Sequence, residues 1–428
     1  MQQNYKQIRK DSLLSDRPVR DSSAPRAVLG SLLQLAKRSN ANSIHFYIQS
    51  TSGLEQVDCA FNILGKLEPV AKKFSNKILS EIVGFIKDYS NLENNPLKQI
   101  QVANLLVPEL ISSRVIQINN STDHSPSAQL VIELFGSYSD GTPGLKELGL
   151  SAREAEEYKS HLSEKKGIIL VSSSDLITAQ SFILSCLSLP NLSSLPTLVF
   201  DSTSLFDYKG FESRFSIIST PISTRTVSIA KNALLSNPSL VVFADYANSQ
   251  IAPLAAELAN HGKLVFMVTS EKSAVAGLLK SLNNSFDAMS FIQELVCSIS
   301  LSPIKSVSSS ASDHILNSDL IDNVSHFFGV DNLKVWNDLL NRAGQAKVTN
   351  LANLKFPKAT SYGARTNLVE LLFMSSELKK TLVTGGNITE ELLTWRAIRS
   401  GMSTRRHNGL VRSLSGELDI ADVIEVCQ

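Results

Sequence analysis

The chain has 428 residues, with 41 Lys+Arg against 40 Asp+Glu and a formal net charge of +1. This balance supplies no global field to draw in nucleic acid or an anionic membrane. With 43% hydrophobic and 19% charged residues the composition excludes a disordered chain. No run approaches the ~18 apolar residues of a membrane span, and the polar N-terminus reads as lacking a signal peptide. Cys59, Cys186, Cys297 and Cys427 are far apart, which argues against a zinc site or a disulfide framework. The seven histidines have no metal-binding spacing. Glycine is scarce, at 20 residues, whereas serine, at about 62, is well above average usage.

Residues 1–27 read as a flexible lead-in. Leu29, Leu32, Leu33 and Ala36 then recur at i, i+3, i+4 and i+7, which predicts an amphipathic helix over 27–39. Strands are expected at 43–49 and 57–64, a helix at 78–89, and strands at 100–107, 113–119 and 128–135. The loop 137–144 is a candidate hinge. After it the pattern changes. A charged helix (152–165) precedes GIILV (167–171), a fully apolar run expected of a strand buried on both faces. A helix at 178–189 follows, with the serines at 172–174 as its cap and turn or, alternatively, as a phosphate-binding run. Buried strands at 197–200, 239–245 and 263–270 alternate with helices at 251–262, 274–283 and 291–300, the pattern of a doubly wound α/β domain. A serine-rich loop (302–314) leads to a mainly helical remainder with one strand at 367–373.

In this order the chain resembles the ATPases that drive type II secretion and type IV pilus assembly (the GspE/PilB family), over nearly its whole length from residue 28. The resemblance rests on Ala41–Phe46, on Leu145–Ser151 as the linker, and on the strand Gly167–Val171. It continues through Asn237–Val242, Gly363–Thr366 and Val369–Leu372. The most specific stretch runs from Ala397 to Val426 and includes Gly401-Met402-Ser403-Thr404, Asn408-Gly409-Leu410 and Ile424-Glu425-Val426. It implies a small N-terminal α+β (PAS-like) domain (28–140), a RecA-like P-loop-type α/β core (145–300) and a helical C-terminal part (301–428).

The residues that such an enzyme uses are replaced. In a phosphate loop, glycines let successive amides face the phosphates, a lysine neutralises the β/γ oxygens and a hydroxyl binds Mg²⁺. The family's G-P-T-G-S-G-K-S/T lines up with Ser173-Ser174-Asp175-Leu176-Ile177-Thr178-Ala179-Gln180. Every glycine is gone, Ala179 stands for the lysine and Gln180 for the Mg²⁺ ligand. Asp175 would put a negative charge against a triphosphate, at a cost on the order of 4 kcal/mol. The family's catalytic glutamate becomes Phe200, leaving Asp201. The Walker B segment becomes Ala244–Asn248, with Asp245 and without its arginine, and the second histidine of the histidine box is Ser270. The small domain's R-x-D-G segment becomes Phe61–Gly65. Asp201 and Asp245 read as a remnant Mg²⁺ pair or as ordinary caps and loop acids. Arg396, Arg399, Arg405, Arg406 and Arg412 read as a surface for an acidic partner or as a solvated face.

Ser174, Asp175, Ala179, Gln180, Asp201, Asp245 and Ser270 thus form a pocket remnant, with no catalytic residue and no metal site. The resemblance implies a catalytically inactive relative of the secretion or pilus motor, cytoplasmic or peripheral to the inner membrane. Its partners would be an active ATPase paralogue in a homo- or hetero-hexamer and an inner-membrane platform protein, with no nucleic acid. No cofactor is expected. ATP and Mg²⁺ enter only under the alternative of a working motor with a rebuilt site. A second alternative is a ligand-sensing regulator that uses the interdomain cleft.

Overall fold

The computed structural model describes most of residues 25–428. Outside the description lie 1–24, 93–99, 106–112, 135–141, 202–214, 219–227, 229–234, 316–323, 349–354 and several shorter stretches. Most of the expected lead-in and most of the expected hinge therefore fall outside the described residues. The chain divides into two compact units between residues 141 and 142.

The N-terminal unit is a six-stranded antiparallel sheet under two helices. The strands are β1 (Ser43–Thr51), β2 (Leu54–Ile63), β3 (Lys66–Pro69), β4 (Ile100–Leu105), β5 (Ser113–Thr122) and β6 (Ser125–Leu134), in the order β3-β2-β1-β6-β5-β4. Helix α1 (Pro25–Arg38) buries Leu29, Leu32, Leu33 and Ala36, the stripe that its periodicity marks. Strand β1 alternates as a half-buried strand should: Ile44, Phe46 and Ile48 join that core while His45 and Tyr47 face the other way. Helix α2 (Asn76–Tyr89) is tied to β2 by Asn76, whose amide oxygen accepts from Val57 N at 2.7 Å and whose nitrogen donates to Glu55 O at 2.6 Å. Strand β3 was not expected from the sequence; it is short and largely exposed, so no apolar pattern announces it.

The larger unit carries a seven-stranded sheet. Its strands are β7 (Gly167–Ser172), β8 (Thr197–Phe200), β9 (Phe215–Ile218), β10 (Leu240–Tyr246), β11 (Leu264–Thr269), β12 (Leu295–Val307) and β15 (Tyr362–Phe373). The order is β15-β12-β7-β11-β10-β8-β9, parallel throughout except for the antiparallel β12–β15 pair. Every residue of β7, β8 and β11 is buried, as a parallel sheet covered on both faces requires. The helices around it are α3 (Ala152–Leu162), α4 (Leu176–Leu187), α5 (Ile251–Asn260), α6 (Ala274–Asn283) and α7 (Ala288–Glu294). Helix α3 opens on a full capping box between Ser151 and Glu154. Strands β13 (Ser312–Ile315) and β14 (Lys355–Lys358) form a separate ribbon. Helices α8 (Leu333–Arg342), α9 (Ser376–Thr384), α10 (Glu390–Arg399), α11 (Arg405–Leu414) and α12 (Ile420–Cys427) also belong to the unit.

Two sequence expectations need correction. The stretch 291–300 is not a helix: α7 ends at Glu294 and the chain enters β12, which runs through the first part of the expected serine-rich loop. The C-terminal part is also less helical than expected, because β12 and β15 extend the core sheet. The linker docks on this added edge. Gly149 has φ +103°, and a Cβ there would stand 2.1 Å from Asn367 O. The Asn367 amide in turn donates to Leu148 O at 2.9 Å.

Candidate functional site

Because β7, β8, β10 and β11 are parallel, the segments that leave them emerge along one edge of the sheet. That edge collects all seven residues singled out in the sequence. Ser174 and Asp175 follow β7, Asp201 follows β8, Asp245 is the penultimate residue of β10 and Ser270 follows β11. Ala179 and Gln180 sit in the helix that starts there. This carboxyl edge is where open α/β sheets bind ligands.

The segment after β7 is a tight connection, not a cradle. Only Ser173, Ser174 and Asp175 separate the strand from α4. Leu176 to Gln180 are already helical, so five of the eight residues aligned with the phosphate loop are wound into α4. The Ala179 amide donates to Asp175 O at 3.3 Å, an ordinary helical bond, and cannot face a ligand. Ala179 is fully buried. Leu176 and Ile177 are half-buried. The expected serine cap is corrected as well: the residue before α4 is Asp175, and its side chain makes no bond to the helix backbone. Ser173 instead ties β7 to β12 by donating to Leu301 O at 2.9 Å, and its hydroxyl accepts from Asp175 N at 3.2 Å.

The Asp175 charge is compensated. Its Oδ2 pairs with the Arg365 guanidinium, carried on β15, and accepts from Thr178 Oγ1 at 2.7 Å. Arg365 also donates to Thr178 Oγ1, at 2.6 Å. The negative charge that the sequence places at this position is thus held in an ion pair. The side chains of Arg365 and Asp175 are 12% and 22% exposed. Burial first, and the Asp175 charge second, push the Tyr246 hydroxyl at the end of β10 up to about 12. Gln180 donates to Ala244 O at 3.0 Å, which fastens α4 to β10; its Oε1 has no hydrogen-bond partner among the described residues. Asp201 and Asp245 are buried, and Ser270 is exposed and accepts from Lys280 Nζ at 3.2 Å. No cluster of three or more His, Cys, Asp or Glu able to hold a metal occurs among the described residues.

Sequence reasoning missed Arg365 and Thr178 as members of this site. Arg365 sits inside a quoted motif, but 190 residues separate it from Asp175, and only the β7–β12–β15 pairing brings the two together. It also missed Glu370. This buried carboxylate accepts from Ala274 N, at the start of α6, and from Arg405 N, at the start of α11, both at 3.0 Å. One side chain thus satisfies two helix N-termini and offsets both dipoles.

The basic cluster is engaged within the molecule. Arg405 pairs with Glu370 at 3.6 Å, and Arg412 bonds Asn367 O, Thr366 and Glu417. Arg396 donates to Thr381 at 2.9 Å. Arg399 and Arg406 lie over the Trp395 and Phe327 rings, at 4.7 and 4.6 Å.

No protein-family model matches the chain, and no curated protein does so significantly. Solved structures do match. The chain is similar to the ATPase DotB of Legionella pneumophila, with a TM-score of 0.64 at 13% identity over 96% of this chain and 98% of that one. It is similar to DotB of Yersinia pseudotuberculosis, with a TM-score of 0.62 at 13% identity over 94% and 93%. The pilus retraction motor PilT, solved with bound ADP, matches with a TM-score of 0.55 at 15% identity over 92% and 95%. The chain has the fold of these motor ATPases over nearly its full length. No helix among the described residues is long and apolar enough to cross a membrane.

Proposed function

We propose that the protein is a non-hydrolysing member of the secretion and pilus motor ATPase family, retained for its scaffold. The observation that carries this reading is the course of residues 173–180. A phosphate-binding loop works by turning backbone amides and a lysine toward the phosphates. Here the aligned residues close into the first turn of α4, and Ala179, where the lysine would stand, is sealed in the core. Phosphoryl transfer depends on positioning and electrostatic stabilisation, and the edge offers neither a lysine nor a glycine between β7 and the middle of α4. The motif-by-motif resemblance and the shared fold support family membership. The role is structural or regulatory within a type II secretion or type IV pilus machine. Its partners are an active ATPase paralogue in a shared hexameric ring and an inner-membrane platform protein, and its place is the cytoplasmic face of that membrane. It needs neither ATP nor Mg²⁺.

The test is calorimetric titration of the full chain with Mg-ATP, beside a phosphate-release assay. We expect no heat up to millimolar nucleotide and no turnover above the buffer blank. Binding at micromolar affinity would overturn the reading in favour of a motor with a rebuilt site.

A further inference from the structure

Helix α10 turns to solvent the kind of side chain that a helix ordinarily buries. Its core side is Leu393 and Ala397, both fully buried. On the opposite side Leu392, Trp395 and Ile398 are 43%, 54% and 48% exposed, three of the ten large apolar side chains that are exposed among the described residues. Gathered on one helix, they form a patch, whereas single exposed apolar residues are ordinary. The outward face is symmetrical about Trp395. Three residues to either side stand Leu392 and Ile398, and four residues to either side stand Glu391 and Arg399. Steps of three and four keep these side chains on one face of the helix. Both inner places are thus apolar, and the two outer ones carry opposite charge. Glu391 and Arg399 are exposed, and neither forms an ion pair among the described residues. The Arg399 guanidinium lies over the Trp395 ring at 4.7 Å, at the border of the patch.

We propose that this face is an interface between two copies of the chain, in which α10 packs antiparallel on α10 of the second copy about a two-fold axis at Trp395. Charge complementarity selects that occupant. In the antiparallel register Trp395 meets its own counterpart, Leu392 meets Ile398, and Glu391 meets Arg399 at both ends. A parallel register would set Glu391 against Glu391 and Arg399 against Arg399, and like charges in contact are costly. A two-fold contact is isologous: the same patch serves both copies, and the contact closes at two. Trp and Arg are also among the residue types that carry most of the energy of an interface. One helix pair covers less than the ~800 Å² per partner of a standard interface, so the contact is of the weak and reversible kind. The inference goes beyond the function proposed above and stands whether or not the chain binds nucleotide.

The experiment is sedimentation velocity on the full chain, from micromolar to hundreds of micromolar, beside tryptophan fluorescence. The chain has two tryptophans and Trp336 is fully buried, so a change of emission on association reports Trp395. We expect reversible dimers in the micromolar range, with the emission moving to the blue as they form. Trp395→Ala, Glu391→Arg and Arg399→Glu should each stay folded by circular dichroism and weaken the dimer at least about tenfold. The double variant Glu391→Arg/Arg399→Glu should regain it, because each position again faces the opposite charge across the two-fold axis. That rescue is what a general change of surface charge would not produce. A natural chain that stays monomeric at hundreds of micromolar overturns the inference. So does self-association that Trp395→Ala and both charge reversals leave unchanged, since it would run through another surface. A double variant that dimerises no better than the single ones overturns the antiparallel register, and the proposal with it. None of these outcomes bears on the proposed function, which the nucleotide titration decides by itself.

Discussion

At the residue scale, His45 shows how one side chain makes the small unit sensitive to pH. Its Nδ1 faces the Gln129 amide nitrogen at 2.9 Å and its Nε2 faces Ser43 Oγ at 2.8 Å. An amide nitrogen only donates, so Nδ1 accepts and the ring is neutral with its hydrogen on Nε2. A second proton would set two donors against each other, and burial also lowers the His45 pKa below its ordinary 6.5. The folded state then binds fewer protons than the unfolded state, so stability rises with pH through this window. The contribution is complete above 6.5 and is lost as pH falls below it toward the folded pKa. Burial and the Arg342 charge shift His407 in the larger unit the same way, so the single-residue effect must be read as a difference. We expect urea midpoints of the natural chain to fall between about pH 7.5 and about pH 5.5, and His45→Gln to flatten part of that slope. An identical slope in both proteins would remove His45 from the account.

At the element scale, the packing of α6 on the sheet depends on the absence of a side chain. A Cβ at Gly277 would stand 2.1 Å from Ser172 Oγ and 3.0 Å from Thr269 Oγ1. Those two hydroxyls are bonded to each other at 3.0 Å across β7 and β11, so neither can swing away without losing a partner. Gly277→Ala gains up to about 1 kcal/mol of helix propensity. Overpacking of about 1–3 kcal/mol opposes it, and we expect net destabilisation in denaturant titrations. Because the nearest contact is an oxygen, Ser172→Ala should relieve part of the cost: the double variant should be more stable than the sum of the single changes implies. Additive changes would mean that α6 simply shifts outward.

The same scale explains which elements were legible. Helix α1 and strand β7 carry patterns whose burial needs no distant information: a four-residue apolar stripe and an unbroken apolar run. Strand β12 does not. Its Ser298 and Ser300 are buried, and their hydroxyls donate to Ala274 O and Lys272 O, both at 2.7 Å. Serines satisfied by another segment look, in sequence, like the polar positions of an amphipathic helix, and periodicity then selects the wrong element. The site was legible as a set of strand ends. It was not legible as a network, because Arg365 reaches Asp175 through strand pairings that no local pattern encodes.

At the scale of the whole molecule, the proposed function turns on where glycine stands and where it does not. Gly149 takes a left-handed conformation against Asn367, and Gly277 admits Ser172 beneath α6, but no glycine lies between Ser172 and Leu187. A motor that had lost only its catalytic side chains would keep the loop's backbone, and one substitution could refit it. Under the function proposed above the difference lies in the backbone and not only in the side chains, since the Ala179 amide donates to Asp175 O and its side chain is fully buried. Ala179→Lys therefore separates the two histories. If only the side chain were missing, the lysine would restore nucleotide binding. In this fold it places an unpaired ammonium at a fully buried position of α4. That costs several kcal/mol even after relaxation or deprotonation. We expect Ala179→Lys to melt well below the natural chain, to bind no Mg-ATP and to release no phosphate. A variant that melts like the natural chain and takes up Mg-ATP would show that the first turn of α4 unwinds into a loop when a lysine is present, and that the scaffold still holds a latent motor.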